Sequence, residues 1–205
     1  SFPKGGLVFS VAGTLGLMAG LGLAWLRDTH FTGLTTETQA ESALQLPVVS
    51  SVPIAQADGK GAHDDIVRRP LAPFAESTRR WRRNLDLAGP ALPCKTVLIT
   101  SAKEGDGKST LALALARLAA TVGQRVVLID CDLRRPGLHT RANLGPCTKT
   151  RLHLQDWLLN DHTPAQLPNL IIKDRKSPAH LITGLSGAGA SSEGLLRSAR
   201  LARLL

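Results

Sequence analysis

The residues best equipped for chemistry lie between positions 102 and 132 of the 205-residue chain. Ala102-Lys103-Glu104-Gly105-Asp106-Gly107-Lys108-Ser109-Thr110 has the spacing A-x-x-x-x-G-K-S of a phosphate-binding loop, with alanine where the stricter pattern has glycine. Gly105 and Gly107 permit backbone angles that turn successive N–H groups toward one anion, and Asp106 lies between them in the same cradle. Lys108 would place a point charge on the β- and γ-phosphates of a nucleotide. The Ser109 hydroxyl can ligate Mg2+, and Thr110, at a helix N-terminus, can reach the α-phosphate. Further along stand Asp130 and Asp132. Two carboxylates so spaced can hold a hydrated Mg2+, and one can also accept a proton from an attacking hydroxyl. Cys131 between them reads as a small buried thiol.

These groups need elements to hold them. Thr96–Thr100 (TVLIT) is an apolar run of β-formers and predicts a buried strand leading into the loop. After the loop, Leu111, Leu115, Leu118 and Val122 fall on one helical face, and Gly123 is placed to end that helix. Val126–Ile129 predicts a second strand. Parallel strands end at the same edge of a sheet, so Asp130 and Asp132 should face the magnesium beside Ser109. The fold class is therefore α/β, with a phosphate loop on a parallel sheet.

The chain opens differently. Residues 5–26 contain no ionisable side chain, and 22 residues make a helix of roughly 33 Å against a hydrocarbon core of about 30 Å. Lys4 and Arg27-Asp28 flank it, and Trp25 suits an interface. Ala12, Gly16, Gly20 and Ala24 line one face with small side chains, which lets a neighbouring helix approach. A transmembrane helix is the reading; a signal peptide has a shorter apolar core, of about 7–15 residues. Beyond it, LPVVSSVPI (46–54) reads as extended, 58–65 as loop, 73–85 as a helix and 86–93 as a linker. A helix near His153–Leu159, with Trp157 as a packing residue, and another over 191–205 complete the pattern.

The formal charge of +9 is concentrated. Residues 60–83 hold seven Lys/Arg against three Asp/Glu, and residues 173–205 hold six against two. Two patches, not a field, carry the basicity. The three cysteines, Cys94, Cys131 and Cys147, form no CxxC pair, which disfavours a structural zinc site or a disulfide framework.

The strand, the GKS loop and a second strand ending in LIDCDLRRP resemble the cytoplasmic domain of bacterial tyrosine kinases, the polysaccharide co-polymerase family of capsule and exopolysaccharide synthesis. Glu76-x-x-Arg79-x-x-Arg82, followed by Asn84-Leu85, is similar to that family's subunit-contact helix, and Leu46-Pro47-Val48 through Val52-Pro53 is similar to its juxtamembrane segment. The resemblance implies a second membrane span at 1–26, a juxtamembrane region at 27–94 with its oligomerisation helix, and a partial kinase domain at 95–205. The family's Walker A and Walker A′ motifs are both present, and Walker B is missing. It implies ATP and Mg2+ as cofactors, with Lys108, Asp130 and Asp132 catalytic and Asp130 or Asp132 the base. It also implies ring assembly through Glu76, Arg79 and Arg82, contact with membrane lipid and with the polysaccharide export machinery, and no nucleic-acid partner. A loop using ATP faces the cytosol, which places the anchor in a bacterial inner membrane with the C-terminal part cytoplasmic. The family's C-terminal tyrosine cluster is absent, since the chain has no tyrosine, and the expectation is a polypeptide cut short. Two other readings remain: a partitioning-type ATPase, for which Lys103 would be the signature lysine, and a non-enzymatic regulator of polysaccharide chain length.

Overall fold

A computed structural model describes residues 5–30, 36–53, 61–88, 96–145, 152–184 and 192–204. The sequence-based expectations for Lys4, Cys94 and Cys147 fall outside these residues. The chain divides into two compact units, 1–48 and 49–205.

The first unit is helical. α1 (Gly5–His30) contains one stretch, Gly5–Asp28, long and apolar enough to cross a membrane, with a mean hydropathy of 1.9 and none of it buried. Two hydroxyl residues within the apolar stretch return their protons to the helix: Ser10 Oγ donates to Gly6 O at 2.7 Å and Thr14 Oγ1 to Ser10 O at 2.9 Å. Neither hydroxyl is left unsatisfied in an apolar surrounding. α2 (Glu37–Leu44) starts on Thr36, whose Oγ1 accepts from Gln39 N at 3.3 Å, and ends on Gln45 at φ 53°.

The second unit is built around a small mixed sheet of order β1-β3-β2, with β1 (Val127–Ile129), β2 (Ile172–Lys173) and β3 (His180–Ile182). β1 and β3 are parallel, Ile129 opposite Ile182, but β2 runs antiparallel to β3. The expected α/β fold and its parallel pairing hold at β1 and β3, and β2 adds an antiparallel strand that the sequence reading did not include. Only a short connection separates β2 from β3, which suits a hairpin and is too short for a crossover helix. Alternation along β3 sends Leu181 into one core and Ile182 into another.

Thr96–Thr100 departs from the sequence expectation as well. It is not among the three strands, and Leu98 is 85% and Val97 42% exposed. A β-forming composition favours extension, but burial requires neighbouring strands, and none of the three pairs with it. Helices meet expectation better. α4 (Pro73–Ala88) covers the predicted 73–85 stretch, whereas 62–65, expected as loop, falls in a 3₁₀ turn (Ala62–Asp64) and the start of α3 (Asp65–Arg68). α6 (Leu138–Arg141) follows the turn after β1. α7 (Leu154–Leu159) is the predicted helix near 153–159; Asp156 Oδ2 accepts from His153 N at 3.0 Å at its start, and Arg200 donates to Leu158 O and Leu159 O at 2.9 and 3.0 Å at its end. Trp157 stacks on His162 at 5.1 Å and joins the Ile182 core, as a packing residue should. α8 (Leu167–Leu170) leads into β2, and the C-terminal helix forms as two pieces, α9 (Ser192–Leu196) and α10 (Ala199–Leu204).

α5 (Lys108–Thr121) carries the site and is packed on two sides. Ala114 and Leu118 meet Ile66, Phe74 and Ala75, while Leu113 meets Leu138, Ile172 and Leu181. The buried arc is therefore wider than the single stripe read from the sequence, and Val122, expected inside, is 57% exposed. Gly123 ends the helix as predicted, at φ 88°, with Gln124 N donating back to Ala119 O at 3.1 Å.

Sequence periodicity had no means of finding Arg117. It is wholly buried on α5. Its Nε and Nη2 each donate to Asp174 at 2.9 Å, and its Nη1 donates to Asp64 Oδ1 at 2.7 Å. Lys176 pairs with the other oxygen of Asp64, and Ser177 Oγ donates to Asp174 Oδ2 at 2.8 Å. Burial pushes both carboxyls up, but the hydrogen bonds from Lys176 and Arg117 on Asp64, and from Arg117 and Ser177 on Asp174, hold them below the ordinary value. Beside them, burial holds the His63 imidazole below 6.5.

Arg117→Met should lower stability by about 3–5 kcal/mol in urea unfolding, because it removes the cation shared by two buried carboxylates and leaves Asp174 with the Ser177 hydroxyl in place of a guanidinium fork. The pH dependence follows from the same groups. Depressed carboxyls contribute stability above their ordinary value, lost as pH falls through the lower folded values; a depressed imidazole is neutral when folded, so below about 6.5 the unfolded chain binds the proton first. The urea midpoint should therefore fall from about pH 7 to pH 5 and again below about pH 4. His63→Gln should flatten the first step and spare the second.

Candidate functional site

The phosphate loop has the backbone its glycines predict. Gly105 and Gly107 sit at φ 89° and 86°, the left-handed region that costs a side-chain-bearing residue strain, although an added Cβ would meet nothing within 4 Å. Conformation, not space, makes them glycine. The loop is closed on itself: Ser101 Oγ donates to Lys103 O at 2.9 Å, and Lys103 N donates to Asp106 Oδ2 at 3.0 Å. Asp106 thus braces the cradle. α5 then begins at Lys108 on the glycine N-cap Gly107, which has no side chain to occupy the first helical N–H groups. Ser109 and Thr110 are half-buried in that first turn.

The second motif begins where β1 ends. Asp130 N donates to Ile182 O at 2.9 Å, and the chain then turns sharply. The buried Asp130 carboxylate holds the turn from inside, its Oδ1 accepting from Asp132 N at 3.2 Å and its Oδ2 from Leu138 N at 3.0 Å. Burial pushes Asp130 above its ordinary value; hydrogen bonds from Leu138 and Asp132 pull against it, and the Asp132 charge pushes the same way as burial. Asp132 is half-exposed. Its Oδ1 accepts from Arg135 N at 3.0 Å, and its Oδ2 lies 3.7 Å from Lys108 Nζ. Burial, then the Asp130 charge, raises the Cys131 thiol, the direction of an inert side chain.

The two motifs therefore meet through Lys108 and Asp132, while Asp130 sits deeper and supports the turn. A second bridge, missed by sequence reasoning, pairs Arg135 with Glu104, each about 70% exposed (70% and 71%). Its only sequence signal is that both residues adjoin the motifs. The residues expected to hold Mg2+, Ser109, Asp130 and Asp132, would make a sparse set, which suits an ion that keeps several of its waters. Among the described residues no group of three or more His, Cys, Asp or Glu side chains converges on a metal position.

On α4, Glu76 Oε2 accepts from Arg79 Nη1 at 3.2 Å, Arg79 also donates to Pro70 O at 2.5 Å, and Arg82 lies 4.0 Å from Asp86. Phe74, Ala75 and Thr78 face the core, and Asn84 Nδ2 donates to Val49 O at 2.6 Å, tying the helix to the preceding extended segment.

Residues 97–197 match the CobQ/CobB/MinD/ParA nucleotide binding domain. The tyrosine-protein kinase ptk of Acinetobacter johnsonii is 30% identical over 180 residues, 81% of this chain and 24% of the relative. The succinoglycan biosynthesis transport protein ExoP of Rhizobium meliloti is 30% identical over 142 residues, 68% of this chain and 17% of the relative. The chain thus spans between a sixth and a quarter of the length of these relatives. Among solved structures, the BceF tyrosine kinase domain superposes with a TM-score of 0.68 at 25% identity, covering 84% of this chain and 71% of that one. With a nucleotide-binding domain whose two phosphate-site motifs meet at the end of β1, the chain belongs to the bacterial tyrosine-kinase family.

Proposed function

We propose that the chain is the membrane-anchored, ATP-dependent kinase module of a protein-tyrosine kinase that regulates exopolysaccharide or capsule chain length and export. The observation that carries this reading is the approach of Lys108 Nζ to Asp132 Oδ2 at 3.7 Å, which puts the cation of one motif beside the carboxylate of the other. The relatives' tyrosine-kinase and polysaccharide-transport names supply the direction.

In this mechanism the left-handed Gly105 and Gly107 aim backbone N–H groups at the phosphates, Asp106 keeps the loop closed, and Lys108 neutralises the β- and γ-oxygens. Thr110 extends the contacts to the α-phosphate. Bound Mg2+ would neutralise charge between the phosphates, held by Ser109 and by the Asp132 and Asp130 carboxylates. Its backbone hydrogen bonds do not exhaust Asp130, whose oxygens have about four lone-pair sites. Its pKa is raised by burial, the direction expected of a group that takes a proton from a tyrosine hydroxyl. That hydroxyl must come from elsewhere, because these 205 residues include no tyrosine.

α1 is the membrane anchor in this reading, with the second unit in the cytoplasm at a bacterial inner membrane. Arginines near an anionic leaflet gain about 1 kcal/mol each, so the α4 arginines suit lipid contact as well as subunit contact. Glu76 and Arg79 already pair within α4, and ring assembly would exchange this weak internal pair for one across subunits. The export machinery is the further partner.

Calorimetric titration of the chain with Mg2+ and a non-hydrolysable ATP analogue tests the site. Lys108→Ala should weaken binding by tenfold or more, about 1.4 kcal/mol. Asp132→Asn should weaken it only when Mg2+ is present. Equal affinities for the Lys108→Ala and parent chains would remove the nucleotide assignment. For the assembly, Arg79→Ala/Arg82→Ala should reduce the mass seen by light scattering, and an unchanged mass would remove the α4 interface.

A further inference from the structure

Two ion pairs bridge the phosphate loop and the turn after β1. The first, Lys108 with Asp132, belongs to the site already described. The second, Arg135 with Glu104, has no part in it. Glu104 immediately precedes Gly105, where the backbone turns left-handed to form the cradle. The Arg135 guanidinium therefore reaches the rim of the cradle from the opposite loop. Its starting point is also fixed: Arg135 N donates to Asp132 Oδ1 at 3.0 Å, so the carboxylate that faces Lys108 also anchors the backbone of Arg135.

The Glu104 pair itself is weakly held. At 70% and 71% exposure, water screens most of its attraction. A guanidinium, unlike the ammonium of Lys108, presents a planar fork of donors that matches two oxygens of one phosphate. A terminal phosphate carries more charge than a single carboxylate and offers more acceptor oxygens. Exchange of Glu104 for that phosphate would give the fork more charge and more acceptors, at a position already exposed to solvent.

The geometry points to Arg135 as a further phosphate-binding residue, one that takes the terminal phosphate of the bound nucleotide and is restrained by Glu104 until it does. This rests on the nucleotide site proposed above. Arg135 adds affinity, and Glu104 subtracts from it by competing for the same guanidinium. A pair that merely braced the two loops would behave differently, since loss of either partner would then weaken binding equally.

The test is calorimetric titration of the 205-residue chain in detergent with Mg2+ and either a non-hydrolysable ATP analogue or ADP. Arg135→Ala should weaken the triphosphate about tenfold and leave ADP within about twofold, while Glu104→Gln should tighten the triphosphate about threefold. Unchanged triphosphate affinity in Arg135→Ala, or equal losses for both nucleotides, overturns the terminal-phosphate assignment. A Glu104→Gln chain that binds no tighter than the parent overturns the restraint, and one as weak as Arg135→Ala makes the pair a brace. Lys108→Ala separates the two levels. If it too binds normally, the nucleotide site itself is wrong; if it loses binding while Arg135→Ala does not, only Arg135 is withdrawn.

Discussion

A single buried guanidinium fixes the scaffold on which the site depends. Arg117 reaches from the middle of α5 to Asp64 in the 3₁₀ turn before α3 and to Asp174 in the connection between β2 and β3. Three parts of the chain far apart in sequence are pinned to one side chain. A charge taken wholly out of water is costly unless every donor and acceptor is matched, and here the guanidinium fork meets two carboxylates while Lys176 and Ser177 take up the remaining acceptor capacity. The arrangement tolerates little displacement, because a shift of any one part would strand a buried charge. α5 is consequently held on the α3/α4 side and on the sheet side at once, and Lys108, at its other end, is presented at a fixed place relative to the end of β1.

That fixed placement gives the site its electrostatics. The chain leaves β1 beside the phosphate loop, where Asp132 Oδ2 lies 3.7 Å from Lys108 Nζ, and the turn there is set by Asp130 acting on nearby backbone. Rigidity is concentrated underneath, in the buried Asp130 and the glycine-closed loop. Exposure is left at the rim, in the half-exposed Lys108 and Asp132 and the exposed Glu104 and Arg135. A phosphate site gains from this division. The N–H groups that would meet the anion are preorganised, and the charged side chains that must exchange partners pay little to do so.

Local signals in the sequence were sufficient for the loop, the helices at 73–85 and 153–159 and the end of α5. Each rests on interactions within a few residues: positive φ at glycine, i to i+4 periodicity, or a capping contact. What escaped was decided at long range. Composition marked Thr96–Thr100 as a strand, yet a strand exists through its neighbours, and Leu98 is exposed. The hairpin of β2 and β3 is two short apolar runs whose direction depends on the length of their connection. Arg117 lies in an apolar helix, where a lone arginine reads as a solvent-facing exception; only its carboxylate partners, 53 and 57 residues away, make it the centre of the fold. Glu104 and Arg135 were in plain view beside the motifs, but 31 residues separate them and no spacing rule joins them.

The two aspartates illustrate how spacing can mislead about equivalence. Residues two apart share a face only while the chain stays extended. β1 ends at Ile129, and the chain turns at Asp130, so the pair separates into an inner and an outer carboxylate. Burial raises the pKa of the inner one, while the backbone N–H groups around it pull the other way and fix its orientation. The outer one faces Lys108 and solvent. The environments differ in what they fix: the inner carboxylate holds the turn through both of its oxygens, and the outer one is left beside the Lys108 ammonium. One motif of two identical residues thereby supplies two chemically distinct groups, and it is the end of the strand, rather than the residue type, that distinguishes them.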